Sequence, residues 1–170
     1  RILSSGSRTN PWMQESSNKI IQEGEIVSFD TDMVGPYGYC ADISRAFVCG
    51  NKFNEYQKKL YQTAVEQIDY NSRLIKAGVT FKEFTEKAWI LPEKYYGNRY
   101  SVMLHGIGLC DEWPAIRYPT DGGERSGTFE KNMTITLESY IGEVGGNEGV
   151  KLEQQYLVGQ NGLELMSHHP

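Results

Sequence analysis

The hydrophobic pattern divides the chain into strands, then helices, then strands again. Residues 1–24 are polar and broken by Gly6, Pro11 and Gly24, which predicts irregular chain with one short helix between turns. Ile26-Val27-Ser28-Phe29-Asp30 reads as a strand, and Gly35, Pro36 and Gly38 turn the chain. Alternation through Tyr39, Ala41, Ile43 and Phe47 predicts a second strand that returns on the first as a hairpin. From Asn54 to Ala77, Tyr56, Leu60, Ala64, Ile68 and Ile75 recur at helical spacing, with Gly78 placed as the C-cap. Thr80 and Glu83 form a capping-box pattern ahead of Phe81, Phe84, Ala88 and Trp89, so a second helix is expected from residue 81 to near Pro92. Beyond residue 101, β-rich stretches from Met133 to Tyr140 and from Val150 to Val158 alternate with glycine clusters. This order predicts an α+β domain.

Composition narrows the function classes. A chain of 170 residues can bury roughly 70% of its unfolded surface in one core, and neither repeats nor linker-like stretches divide it. Seventeen Lys and Arg against 22 Asp and Glu leave a net charge of −5, which offers no positive field for a nucleic-acid backbone. No apolar run approaches the roughly 18 residues of a membrane helix, so no membrane partner is expected. Cys40, Cys49 and Cys110 lack C-x-x-C spacing, and no signal-peptide pattern opens the chain; reduced thiols in the cytoplasm are the expectation. Cys110 reads as a small buried hydrophobe. His168 and His169, beside Pro170, read as an exposed end without a role.

The acidic residues are the chemistry-bearing feature. Asp30, Asp32 and Asp42 lie on the first predicted strands, Glu138 and Glu153 on the last, and His105 between them. Strands disfavour Asp and Glu, and five carboxylates brought together repel unless cations neutralise them. Any one of these acids is most simply a solvent-facing residue; the set points to a metal centre. Hard oxygen donors with one imidazole suit Fe, Mn, Zn or Co, and so many donors fit two ions better than one.

Four separated motifs carry a family resemblance. Gly38-Tyr39-Cys40-Ala41-Asp42-Ile43-Ser44-Arg45 resembles a G-Y-x-x-D-x-x-R block, His105-Gly106-Ile107-Gly108 resembles a histidine block, and Leu137-Glu138 and Lys151-Leu152-Glu153 resemble two glutamate strands. Together they are similar to the creatinase/aminopeptidase P/methionine aminopeptidase superfamily. The resemblance implies the pita-bread fold, with residues 1–170 as the C-terminal catalytic domain of a longer chain, lacking the first segment of that fold. It also implies a dinuclear centre, iron first among the candidates and Mn, Zn or Co behind it. Its ligands would be Asp42, His105, Glu138 and Glu153, bridged or completed by an Asp of the 30–32 region, Asp30 or Asp32, with the site near the interface of a homodimer.

The chain departs from the peptidases of that superfamily at the proton-handling positions. Thr31 stands where they keep their first Asp, flanked by Asp30 and Asp32; Asp111, just before Glu112, stands where they keep a histidine; and Trp12 follows Thr9-Asn10-Pro11 where they keep another. Ser139 replaces the proline after the first glutamate ligand. An ionised Asp and a Trp cannot donate the protons that amide hydrolysis needs. The paired Asp30 and Asp32, the run from Gly38 to Arg45 and the run from His105 to Pro114 resemble the DddP-type dimethylsulfoniopropionate lyase branch. That resemblance implies a β-elimination on a small-molecule substrate: the metal pair binds its carboxylate, Asp111 is the base, and Tyr100, Trp12 and Trp113 offer aromatic faces to the sulfonium. Tyr100 is the strongest of the three. The alternatives are a proline-specific Xaa-Pro aminopeptidase or dipeptidase with another proton donor, and a non-catalytic binding module of the same fold.

Overall fold

Antiparallel pairing at both ends of the chain builds two sheets, and the helices between them cover the second. The computed structural model describes residues 2–12, 14–122 and 126–168. Strands β1 (Ile2–Ser5), β2 (Ile26–Val34) and β3 (Cys40–Val48) form the first sheet in that order. Helices α1 (Glu55–Ser72), α2 (Phe81–Lys87) and the single turn α3 (Glu93–Tyr96) follow. The second sheet comprises β4 (Val102–Gly106), β5 (Ala115–Arg117), β6 (Thr134–Gly142), β7 (Gly149–Val158) and β8 (Leu163–Leu165), in the order β5-β4-β6-β7-β8. β3 lies against β7, so the sheets meet along these two strands. Among the described residues no helix is long and apolar enough to cross a membrane.

The expected succession of strands, helices and strands is present, with local differences. The segment read as irregular contains β1, which pairs with β2 from Ile2 opposite Asp30 to Ser5 opposite Val27, and its short helix is the 3-10 turn Gly6–Thr9. Leu3-Ser4-Ser5 has no alternating apolar pattern to announce a strand. β4 was also unannounced: all five of its residues are buried, so both faces are covered and no alternation develops.

Both expected helices are shorter than their periodicity. At its start α1 is fixed by a capping box in which Gln57 N donates to Asn54 Oδ1 and Asn54 N to Gln57 Oε1, both at 2.9 Å. Leu60 and Ala64 are fully buried on its inner face, Leu60 contributing roughly 1.5–3 kcal/mol. The helix ends at Ser72 rather than Ala77 because backbone turns from Leu74 N to Asn71 O and from Ile75 N to Ser72 O replace the α pattern. Gly78, at φ +93°, closes a later turn. The Thr80–Glu83 capping box opens α2 as expected. α2 stops at Lys87 because the next segment is drawn to α1: Asn71 Oδ1 accepts from Trp89 N at 2.9 Å, and Gln67 Nε2 donates to Trp89 O at 3.0 Å.

Candidate metal centre

Strand periodicity and register deliver the acids to one place. In the β2–β3 pair Asp30 lies opposite Ser44 and Asp32 opposite Asp42, so the period of two puts all four side chains on one face. In the second sheet Glu138 lies opposite Glu153, and β4 beside β6 brings in His105 opposite Thr136. The packing of β3 on β7 turns these groups toward each other. Arg45, the last residue of the G-Y-x-x-D-x-x-R block, locks that packing by donating from Nη1 to Glu153 O at 2.7 Å and from Nη2 to Gln154 Oε1 at 2.9 Å.

Asp30, Asp42, His105, Glu138 and Glu153 are all buried, and Asp32 is exposed at the outer end of the hairpin face. Asp42, His105 and Glu153 each present a ligand atom within 4.8 Å of the other two. His105 Nε2 lies 3.7 Å from Asp42 Oδ2, 3.4 Å from Glu138 Oε1 and 3.3 Å from Glu153 Oε1. His105 Nδ1 is 3.0 Å from Gly106 O, a carbonyl that can only accept, so Nδ1 carries a proton and Nε2 is the atom free to ligate in the neutral ring.

Lys151 belongs to the cluster, although sequence reasoning gave it no role beyond membership of a motif. Its ammonium contacts Glu138 Oε2 and lies 3.1 Å from Ser44 Oγ, 3.5 Å from Glu153 Oε2 and 4.0 Å from Asp30 Oδ1. The signal was a lysine placed two residues before Glu153, and so on the same strand face. Ser44 Oγ also donates to Asp30 Oδ1 and lies 2.9 Å from Glu153 Oε2.

Proximity reshapes the protonation of these groups. Burial, reinforced by the charges on Glu153 and Asp30, pushes the Asp42 carboxyl up to about 10. Burial likewise raises Glu138 to about 8 against the pull of Lys151, and raises Asp30. Burial would also lift Glu153, but the Lys151 charge and the close approach of the His105 ring outweigh it and bring the carboxyl down to about 2. For His105 burial opposes the charged ring, and the close Glu153 and Glu138 carboxylates override it, raising the imidazole to about 10. Lys151 is held far above the ordinary lysine range, its burial outweighed by Glu138, Glu153 and Asp30.

The loop after β4 carries Asp111. This residue is half-buried, and its Oδ1 is buried without a hydrogen-bond partner among the described residues. Glu112 beside it sits in the left-handed region at φ +63°, a strained conformation that sets the direction of the loop. The loop is tied to the hairpin by Cys40 N donating to Gly108 O at 2.7 Å. Burial, followed by the charges on Asp111, Cys110, Asp32 and Asp42, raises the Cys40 thiol. Cys110 is exposed on this loop, contrary to the expectation of a buried hydrophobe, with its thiol directed 3.7 Å to Asp111 O. His168 is exposed, and His169 lies outside the described residues.

Trp12 and Tyr100 meet edge to face with centroids 5.6 Å apart, and the Lys151 ammonium lies 4.7 Å and 5.1 Å from their ring centres. Trp113 is not part of this pair. It is 61% exposed and lines an apolar cavity of about 370 Å³ with Tyr39, Phe81, Leu104, Leu109 and Met133, away from the carboxylates.

The model of metallopeptidase family M24 matches residues 1–160. The chain belongs to metallopeptidase family M24. It is 42% identical over 173 residues to the dimethylsulfoniopropionate lyase DddP of Roseovarius nubinhibens, which covers 100% of this chain and 39% of that protein. It is 33% identical over 171 residues to the Xaa-Pro dipeptidase of Pyrococcus horikoshii, covering 98% and 46%. Among solved structures, the prolidase from Pyrococcus furiosus matches with a TM-score of 0.82 at 28% identity, over 99% of this chain and 49% of that one. The fold is therefore the pita-bread fold of the prolidases and aminopeptidase P, and the chain spans less than half the length of these relatives.

M24 enzymes use divalent metals, and the donor set fits one. Asp42 Oδ1, Glu138 Oε1 and Glu153 Oε1 are buried without a hydrogen-bond partner among the described residues, an expensive state for carboxylate oxygens that a cation relieves. The three carboxylates surround the one ring nitrogen that backbone hydrogen bonding leaves available. Oxygens of this kind with one imidazole are a hard, mixed donor set of the type that binds Fe, Mn, Zn or Co.

Proposed function

We propose that this chain carries the catalytic centre of a metal-dependent carbon–sulfur lyase that cleaves dimethylsulfoniopropionate to dimethyl sulfide and acrylate. Asp111 carries the reading: a carboxylate with an unpartnered buried oxygen stands on the loop where the related peptidases keep an imidazole. The 42% identity to a dimethylsulfoniopropionate lyase, against 33% to a dipeptidase, points the same way.

Elimination breaks the C–H bond next to the substrate carboxylate. The proton passes to Asp111, the C–H electron pair becomes the double bond of acrylate, and the C–S pair departs with neutral dimethyl sulfide. Asp111 can accept that proton, whereas an ionised carboxylate has none to give to the oxyanion of a peptide-cleavage intermediate. Asp42, His105, Glu138 and Glu153, with Asp30 and Asp32, would hold the metal, two ions with iron first among the candidates, supplying Lewis acidity toward the substrate carboxylate. Trp12 and Tyr100 already lie within cation–π range of an ammonium, and the same ring faces suit a sulfonium. Trp113 is assigned to the rim.

The likeness to prolidase structures supports the second reading, an Xaa-Pro dipeptidase that keeps the ligands and uses another donor. The full-length protein, loaded in turn with Fe, Mn, Zn or Co, separates the two. Release of dimethyl sulfide without X-Pro cleavage is expected; peptide cleavage with no sulfide overturns the lyase reading. Neither activity, with no stoichiometric metal, leaves the non-catalytic module.

A further inference from the structure

The two glutamates divide their oxygens between two positively charged partners. Glu138 turns Oε1 to His105 Nε2 and Oε2 to Lys151 Nζ. Glu153 does the same, with Oε1 at 3.3 Å from the ring nitrogen and Oε2 at 3.5 Å from the ammonium. The cluster thus has two lobes. Asp42, His105 and the two Oε1 atoms form one, where the oxygens lack hydrogen-bond partners. Asp30, Ser44 and the two Oε2 atoms form the other, and the Lys151 ammonium sits in it. That side chain is 1% exposed, so water does not share its charge.

We propose that Lys151 is a built-in cation standing in the second metal position, so that the first metal ion enters the Asp42–His105–Glu153 lobe and the second enters only by displacing the Lys151 ammonium. The inference rests on reading the cluster as a metal centre and is independent of the substrate. Two like-charged groups cannot share the Oε2 lobe at the distances measured, because their repulsion is large in a buried site. The two ions are therefore held with unequal affinity, and the lysine sets the difference.

The test is a titration of the full-length, metal-free protein with Co²⁺, read by visible absorption and by equilibrium dialysis. The wild type is expected to bind one ion tightly and a second roughly 1000-fold more weakly, the order of the factor that a unit charge imposes at about 4 Å in a protein site. Lys151→Met, which keeps the length and removes the charge, narrows the gap at least about tenfold, whereas Lys151→Arg preserves it. Folding of each variant is checked by circular dichroism. If Lys151→Met does not fold, Lys151→Gln takes its place. Two equal Co²⁺ sites in the wild type, or an unchanged gap in the uncharged variant, overturn the proposal alone. Absence of Co²⁺ binding overturns the metal centre and the proposal together.

Discussion

Asp42→Asn is expected to stabilise the metal-free protein while abolishing its response to metal. The folded carboxyl sits at about 10 against an ordinary value of 3.8, burial being the first cause and the charges on Glu153 and Asp30 the next. Between those two values the folded state keeps a proton that the unfolded state has lost, so stability falls as pH rises through this window. At pH 7 only the part of the window between 3.8 and 7 counts, which corresponds to about 4 kcal/mol at 1.36 kcal/mol per pKa unit. Loss of the Asp42 contact with His105 offsets part of that, leaving a gain of about 1–3 kcal/mol for the amide, which has no proton to lose. For a domain of this size each kcal/mol moves the melting temperature by about 2–4 °C. Thermal melts of chelator-treated wild type and variant at pH 4.5, 7 and 8 read the effect: equal stability in acid, with the variant ahead by several degrees at neutral pH and further ahead at pH 8. With added metal the order reverses, because the variant has lost a ligand oxygen. A variant no more stable than wild type at pH 8, or ahead by the same amount at every pH, refutes the argument that buried, uncompensated charge dominates this site.

Three further outcomes follow from the geometry. Asp111→Asn abolishes dimethyl sulfide release while leaving metal stoichiometry intact, since Asp111 is not among the groups gathered on His105; loss of metal by this variant counts against its role as base. Gln67→Leu destabilises the fold by about 1–3 kcal/mol in urea melts, because its amide joins Ser139 Oγ at 2.7 Å, Tyr118 OH at 2.8 Å and Trp89 O at 3.0 Å and leaves them unpaired when removed. Metal binding at pH 7 releases protons, because Asp42 and His105 are both held protonated in the metal-free cluster; calorimetry in buffers of different ionisation enthalpy measures the number, and none released contradicts the protonation scheme.

How much of this was legible in the sequence depends on which force wrote each feature. The hairpin and its acids were legible because alternation and turn residues are local, but that Asp30, Asp32 and Asp42 share one face came only with the register of β2 on β3. The ends of α1 and α2 were not, because Asn71 and Gln67 act across the fold on Trp89, and no window of neighbouring residues contains that competition. β4 was hidden by being buried on both faces. Its histidine was found only by motif, and the placement of Trp113 by a second cavity was not foreseen.

Lys151 is the instructive omission. A search for ligands collects acids and imidazoles, and a lysine at i−2 from a glutamate on a strand reads as an ordinary polar residue. Yet the period that carries Glu153 into the site carries Lys151 with it, and β3 then closes over both through Arg45. Four buried carboxyl groups without that ammonium would place a larger uncompensated charge in the core than a metal-free chain can tolerate, so the lysine lets the pocket fold before its ions arrive. Charge balance, rather than ligand count, is therefore the constraint that explains why a basic residue lies at the centre of an acidic site.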